Sequence, residues 1–303
     1  MRFSLAFLRA RPSLLALSLI VALWSAVQSG CATNPYTDRS QLMLVTASHM
    51  NQVGAEQYQQ VLSDPKVTIS KNPREVEPVK RVAEKIIQAA QRSKYAESAN
   101  QFNWQVTVIK DDKVKNAWVL PGGKIAVYTG IFPMAKNEAG LAAIMGHEVV
   151  HALAQHGAER MSHQLTSRGV LTIGSIALSV LGVSGQMTQL ATQAMGIGAQ
   201  VGFLLPYSRA HESEADYVGL LLAADAGYDP REAVGIWQRM AQASEGQPME
   251  FLSTHPGHET RISDLQSWMP EAMAIYQNAP KAPVENLPPL SPSPPQKRKT
   301  PAP

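Results

Sequence analysis

Two stretches of the chain place apolar residues at helical spacing. One covers about residues 47–63; the other covers about 74–92, where Val79, Val82, Ala83, Ile86, Ile87 and Ala90 fall on one face. Both read as amphipathic helices that bury a single stripe. The period then shortens. Gln105-Val-Thr-Val-Ile109 and Lys124-Ile-Ala-Val-Tyr128 lie on either side of Pro121-Gly122-Gly123 and read as strands joined by turns. From about Ala139 the helical pattern returns: Leu141, Ile144, Met145, Val149, Val150 and Leu153 give a broad apolar surface, and Asn137 with Glu138 supplies the cap. That helix is predicted to be buried. A second core helix is marked by Val218, Leu221, Leu222 and Ala223. The expected fold class is α+β and mostly helical, one domain with a small sheet packed against the helices.

Gly169 to Ser208 runs for forty residues without a charged side chain. Ser184-Gly185-Gln186, Gln189, Gln193 and Gln200 interrupt it, and its uninterrupted apolar piece is shorter than the roughly 20 residues a bilayer needs. Buried or cleft-covering helices are expected there rather than a membrane span.

The predicted buried helix carries His147-Glu148-Val149-Val150-His151, an H-E-x-x-H sequence. Two histidines four apart lie on one helix face, so both imidazoles reach a single Zn²⁺ at about 2.0–2.1 Å. Glu148 projects beside them, placed to take a proton from water that the metal acidifies and to pass it to a leaving amine. Buried imidazoles and a carboxylate need partners, and a metal satisfies all of them at once. A hydrolytic zinc takes three protein ligands and keeps a fourth position for water. Glu212, which opens Glu212-Ser213-Glu214-Ala215-Asp216, is the candidate third ligand. Asp216, one turn on, suits a carboxylate that accepts the free N–H of a ligating histidine. Glu214, two residues from Glu212, is expected to turn away into solvent. His156, His163, His211 and His258 are expected on helix faces or loops. The set points to a zinc-dependent peptidase with one Zn²⁺.

H-E-x-x-H followed by E-x-x-x-D resembles the gluzincin peptidases, and within them the family of the HtpX-type membrane proteases, the CAAX prenyl endopeptidases and the periplasmic lipoprotein proteases. Asn116-Ala117-Trp118-Val119-Leu120-Pro121-Gly122-Gly123-Lys124-Ile125-Ala126-Val127 is similar to that family's strand before the zinc helix. Ser253-Thr254-His255-Pro256 with Arg261-Ile262 resembles its late motif, and Cys31-Ala-Thr-Asn-Pro-Tyr-Thr the start of its lipoprotein members. The resemblance spans about residues 31–275. It implies a zincin-like domain in which the strand holding Asn116 and Ala117 borders the cleft and accepts an extended substrate along its edge. It also places His255 over the zinc, either as a donor to the oxyanion or as a ligand in a resting state, and gives Arg261 the task of steadying substrate or Glu212.

The two ends carry different information. Arg2, Arg9 and Arg11 precede an apolar run from Leu14 to Val27, which reads as a secretory signal over residues 1–30. Cys31, the only cysteine, follows Gly30 where a lipoprotein is acylated, although Gln28 departs from the usual lipobox. Ala32 favours the outer membrane, so the expected location is its periplasmic face, anchored through Cys31. Residues 279–303 are rich in proline and end near Lys297-Arg298-Lys299, and disorder is expected there. The catalytic domain is then residues 31–278, with no room for the helical repeat domain of some family members. Without Arg2, Arg9 and Arg11 the formal charge of +3 falls to about zero. Without Lys281, Lys297, Arg298 and Lys299 against Glu285 it is about −3, which gives no basis for nucleic-acid binding.

The expected function is hydrolysis of unfolded or misassembled envelope proteins in quality control. The alternative is a non-catalytic chaperone or assembly lipoprotein for outer-membrane proteins, which would not need Glu148. A cell-wall hydrolase would more naturally use a histidine and aspartate zinc set, which the chain lacks.

Overall fold

The computed structural model describes residues 31–166, 207–243, 250–255 and 260–290. A short antiparallel pair, β1 (Cys31–Thr33) and β2 (Ser40–Leu42), leads into α1 (Ala47–Ser63) and α2 (Pro73–Arg92). Thr46 caps α1 and Asn72 caps α2, where Pro73 at the first position has no N–H to leave unpaired. Val79, Val82, Ala83, Ile86 and Ala90 are buried as their spacing predicts.

After α3 (Ala96–Gln101), a three-stranded sheet forms from β3 (Gln105–Ile109), β4 (Ala117–Leu120) and β5 (Lys124–Tyr128), in the order β3-β5-β4. β5 runs parallel to β3 and antiparallel to β4. The two predicted strands are therefore partners, and β4 lies between them in sequence but outside them in space. Gly122 and Gly123 join β4 to β5 at φ +78° and +79°, a backbone region that disfavours side chains.

A single 3₁₀ turn and α4 (Phe132–Ala135) precede α5 (Glu138–Leu153), the central helix. Asn137 accepts from the Gly140 N–H, as the cap reading predicts. α5 is buried along almost its whole length. It ends at a turn in which Gln155 takes φ +55°, and the chain resumes a helical course over 156–166. Next come α6 (Arg209–Asp225), capped by Ser208, then α7 (Arg231–Ala243), α8 (Glu250–Thr254) and α9 (Arg261–Asn278). The fold is α+β and mostly helical, and α6 crosses α5 at backbone contact: a Cβ on Gly146 would meet the Gly219 carbonyl oxygen at 2.7 Å.

Residues 280–290, expected to share the disorder of the tail, instead lie along the core. Ala282 and Leu287 are buried, and the chain bonds to Gly227 O, Lys136 O and the Glu138 N–H. Two apolar anchors and backbone pairing beside Asn137 outweigh the proline content. Residues 1–30 and most of the uncharged stretch from Gly169 lie outside the described residues. Among the described residues no helix is long and apolar enough to cross a membrane.

Candidate metal centre and catalytic cleft

His147 and His151 project from α5, Glu212 from the first turn of α6, and His255 from the end of α8, where its N–H bonds Phe251 O. Their donor atoms converge. His147 Nε2 lies 3.1 Å from His151 Nε2 and 3.2 Å from His255 Nδ1. Glu212 Oε1 is 3.1 Å from His255 Nδ1 and 3.5 Å from His151 Nε2, and its Oε2 is 3.6 Å from His147 Nε2. The edge of a tetrahedron around a zinc with 2.0–2.1 Å bonds is about 3.3 Å, so four such donors fit one ion. Burial, reinforced by neighbouring imidazoles, drives the His151 pKa well below its ordinary 6.5, so His151 is neutral and offers a lone pair. The His151 lone pair, facing other imidazole nitrogens at hydrogen-bond distance, needs a proton or a cation between them. All four side chains are buried.

His147 is oriented from behind. His147 Nδ1 donates to Asp216 Oδ1 at 2.9 Å. Arg261 Nη2 donates to the same oxygen at 2.7 Å, and its Nη1 donates to Glu212 Oε2 at 2.8 Å. The Arg261 guanidinium also lies 3.3 Å from the centre of the Trp237 ring. Burial would raise the Glu212 carboxyl, but the His255 hydrogen bond with His147 and Arg261 brings it down to about 2, so it is an anion.

Glu148 is only 3% exposed, and burial raises its pKa. Its Oε1 makes no hydrogen bond and lies 3.3 Å from His255 Nε2. Together with His151 and His255 it forms the floor of a cleft of about 480 Å³. Trp118, Val119 and Leu120 of the edge strand β4, with Asn116 just before it, form one wall; Met50 and Phe102 line it as well. The Ala117 side chain is buried in the core, while the strand that holds it borders the cleft.

One expectation fails here. Glu214 is 4% exposed rather than solvated: its two-residue offset from Glu212 turns it toward Arg39 and His156. Its carboxyl, which burial would raise, is drawn down to about 2 by His156, Arg39 and Thr37. His156 and His211 lie on helices outside the donor group, as expected, and are buried and stacked with ring centres 4.4 Å apart. Burial brings His156 down to about 4, against the pull of Glu214. His163 lies on the helical stretch 156–166, as expected, and is exposed there, and His258 lies outside the described residues. The sequence reading also missed Tyr207, which stacks on His151 with ring centres 3.8 Å apart. Its only signal was an aromatic residue immediately before the Ser208 cap.

The pattern that defines peptidase family M48 matches residues 73–269, which include every converging side chain. Over 242 residues the chain is 36% identical to the mitochondrial metalloendopeptidase OMA1 of Schizosaccharomyces pombe, covering 78% of this chain and 66% of that protein. The human mitochondrial metalloendopeptidase OMA1 is 33% identical over 269 residues, 85% of this chain and 48% of its own length. The β-barrel assembly-enhancing protease of Yersinia pestis is 31% identical over 167 residues, 53% of this chain and 33% of its own. The chain thus spans between about a third and two thirds of these relatives.

These matches correct the expected location. The relatives aligned over most of the chain are mitochondrial enzymes, not lipoproteins at the periplasmic face of the outer membrane. The physical reason is that residues 1–30 contain arginines and serines and no acidic residue, a composition that organellar transit peptides share with secretory signals. A single cysteine at residue 31 does not separate the two.

Proposed function

The chain belongs to peptidase family M48, a family of metallopeptidases, and on that premise we propose that it is a zinc-dependent endopeptidase acting on extended segments of unfolded or misassembled proteins. The observation that carries this reading is the convergence of four buried donors beside Glu148, at the floor of a cleft walled by the edge strand β4. His147, His151 and Glu212 would hold the metal. When bound, zinc polarises a scissile carbonyl and brings the pKa of water down toward about 7.

The chain's own groups account for the rest. Glu148 takes a proton from the attacking water at a carboxylate oxygen and delivers it to the leaving amine. The outer edge of β4, beginning after Asn116, offers main-chain groups to a substrate strand laid along the cleft. Asp216 and Arg261 hold His147 and Glu212 in place. His255 Nδ1 lies with the donors that would hold the metal; were it to bind there, it would occupy the position a hydrolytic zinc keeps for water and would have to withdraw for turnover.

The relative in Yersinia pestis is named for β-barrel assembly, a process whose failures leave unpaired strands of the kind that edge pairing captures. That name supports a reading of quality control by cleavage of such strands, since a folded protein has no free segment to lay in the cleft.

The test is digestion of one protein in folded and denatured form, with and without chelator. The reading expects cleavage of the denatured form alone, lost with chelator and restored by Zn²⁺. Cleavage that survives chelation sinks it, and binding without cleavage would favour a chaperone.

A further inference from the structure

His147 and His151 are oriented by different means. His147 Nδ1 reaches the Asp216 carboxylate directly. Among the described residues no carboxylate bonds His151 Nδ1; it faces His156 Nδ1 at 2.9 Å instead. Because His151 Nε2 points into the donor cluster, its proton belongs on Nδ1, which donates to His156. His156 therefore accepts through Nδ1 and carries its own proton on Nε2, which donates to Glu214 Oε2 at 2.9 Å. Only one placement of protons satisfies this line, and the carboxylate at its end fixes the direction.

That carboxylate is held by the N-terminal segment. Arg39 Nε and Nη2 each lie 2.8 Å from a different Glu214 oxygen, and Thr37 Oγ1 donates to Oε1. Arg39 is gripped on its other side by Glu159, at 2.6 and 2.8 Å, and Glu159 in turn accepts from Gln41 at 2.9 Å and His211 at 3.0 Å. The turn at Gln155, with φ +55°, brings His156 back against His151; five residues apart on a straight helix, the two rings would lie on different faces.

We propose that His156 and Glu214 are positioning residues for His151, and that Thr37 and Arg39 clamp them, so that docking of the segment around residues 34–41 governs how tightly the site holds its metal. The inference rests on the metal site of the preceding reading. It predicts that a change at Arg39, which touches Glu214 and Glu159 and no metal-ligand candidate itself, is felt at the metal.

The experiment uses the full chain and reads Zn²⁺ affinity by competition with a chromophoric chelator, together with the visible bands of the Co²⁺-loaded protein. His156→Ala is expected to weaken Zn²⁺ binding roughly 10–100-fold, the usual cost of losing such a partner, and to shift the Co²⁺ bands. His156→Gln, whose amide oxygen can accept from His151 Nδ1, should recover much of the affinity. Arg39→Met and Glu214→Gln should weaken binding in the same direction, and they carry the test if His156→Ala proves unfolded by circular dichroism. Unchanged affinity and unchanged Co²⁺ bands in folded His156→Ala, or in folded Glu214→Gln and Arg39→Met, would overturn the proposal. A parent protein that binds no Zn²⁺ would instead overturn the metal site itself.

Discussion

Replacing Gly219 by alanine tests how the site is built, because this residue sets the distance between the helix that carries both histidines and the helix that carries Glu212. A Cβ there would meet His147 N at 2.7 Å, and Gly146 C and His147 Cα at 2.9 Å. These are backbone atoms and cannot rotate aside. To lengthen that 2.7 Å to the 3.4 Å at which ordinary contact begins, α6 must retreat by about 0.7 Å. Glu212 lies two helical turns away on the same rigid element and moves with it. Metal sites tolerate about 0.2 Å in ligand distance, so a shift of this size lowers affinity, and misplacement of that order costs on the order of 10²-fold in turnover. Overpacking also costs about 1–3 kcal/mol, or roughly 2–12 °C in Tm for a domain of this size. Thermal unfolding in chelator isolates the packing cost, and chelator competition reads the site. A Gly219→Ala protein with the parent's Tm and the parent's Zn²⁺ affinity would refute the claim that backbone contact between α5 and α6 positions Glu212.

Single replacements of His147, His151 or Glu212 by alanine should each lower both bound zinc and proteolysis; full occupancy by elemental analysis in any one of them would move that ligand elsewhere. Arg261→Met leaves Asp216 and Glu212 buried without their cation, and denaturant unfolding should show about 3–5 kcal/mol less stability; a loss within error of zero contradicts the buried pairing. His255→Ala should accelerate cleavage of denatured substrates by freeing the position kept for water, whereas a loss of about 10²–10³-fold with zinc retained would make His255 an oxyanion donor. Burial would raise the Glu159 carboxyl, but His211, Arg39 and Gln41 hold it well below its ordinary 4.5. A depressed carboxyl contributes stability that is present above the unfolded pKa and lost as pH falls through the folded one. Tm should therefore drop as pH falls below about 4.5, and less steeply in Glu159→Gln; identical acid limbs would contradict this.

Much of the centre was legible because helical spacing is a local property. His147, Glu148 and His151 share a face by sequence alone, and Glu212 and Asp216 repeat the logic one turn apart, so the structure finds these residues together. Late residues such as His255 and Arg261 came from motif resemblance and not from spacing. What escaped depends on contacts between distant segments. Glu214 faces away from the metal as its offset implies, yet that direction leads to His156 and Arg39, and Arg39 lies 175 residues away in the chain. No periodicity in α6 records that partner. The stretch 280–290 escaped for a similar reason: prolines predict the absence of regular structure, but Leu287 and Ala282 find apolar seats that only the assembled core provides.

The central claim is that Glu148 moves protons beside a metal it does not hold. Glu148→Gln keeps the shape of the side chain and removes its basicity, so the direct measurement pairs zinc content by elemental analysis with the rate of cleavage of a denatured protein. The account predicts one zinc per chain in both parent and variant, with cleavage in the parent alone. Cleavage by the zinc-loaded variant at the parent's rate would contradict it.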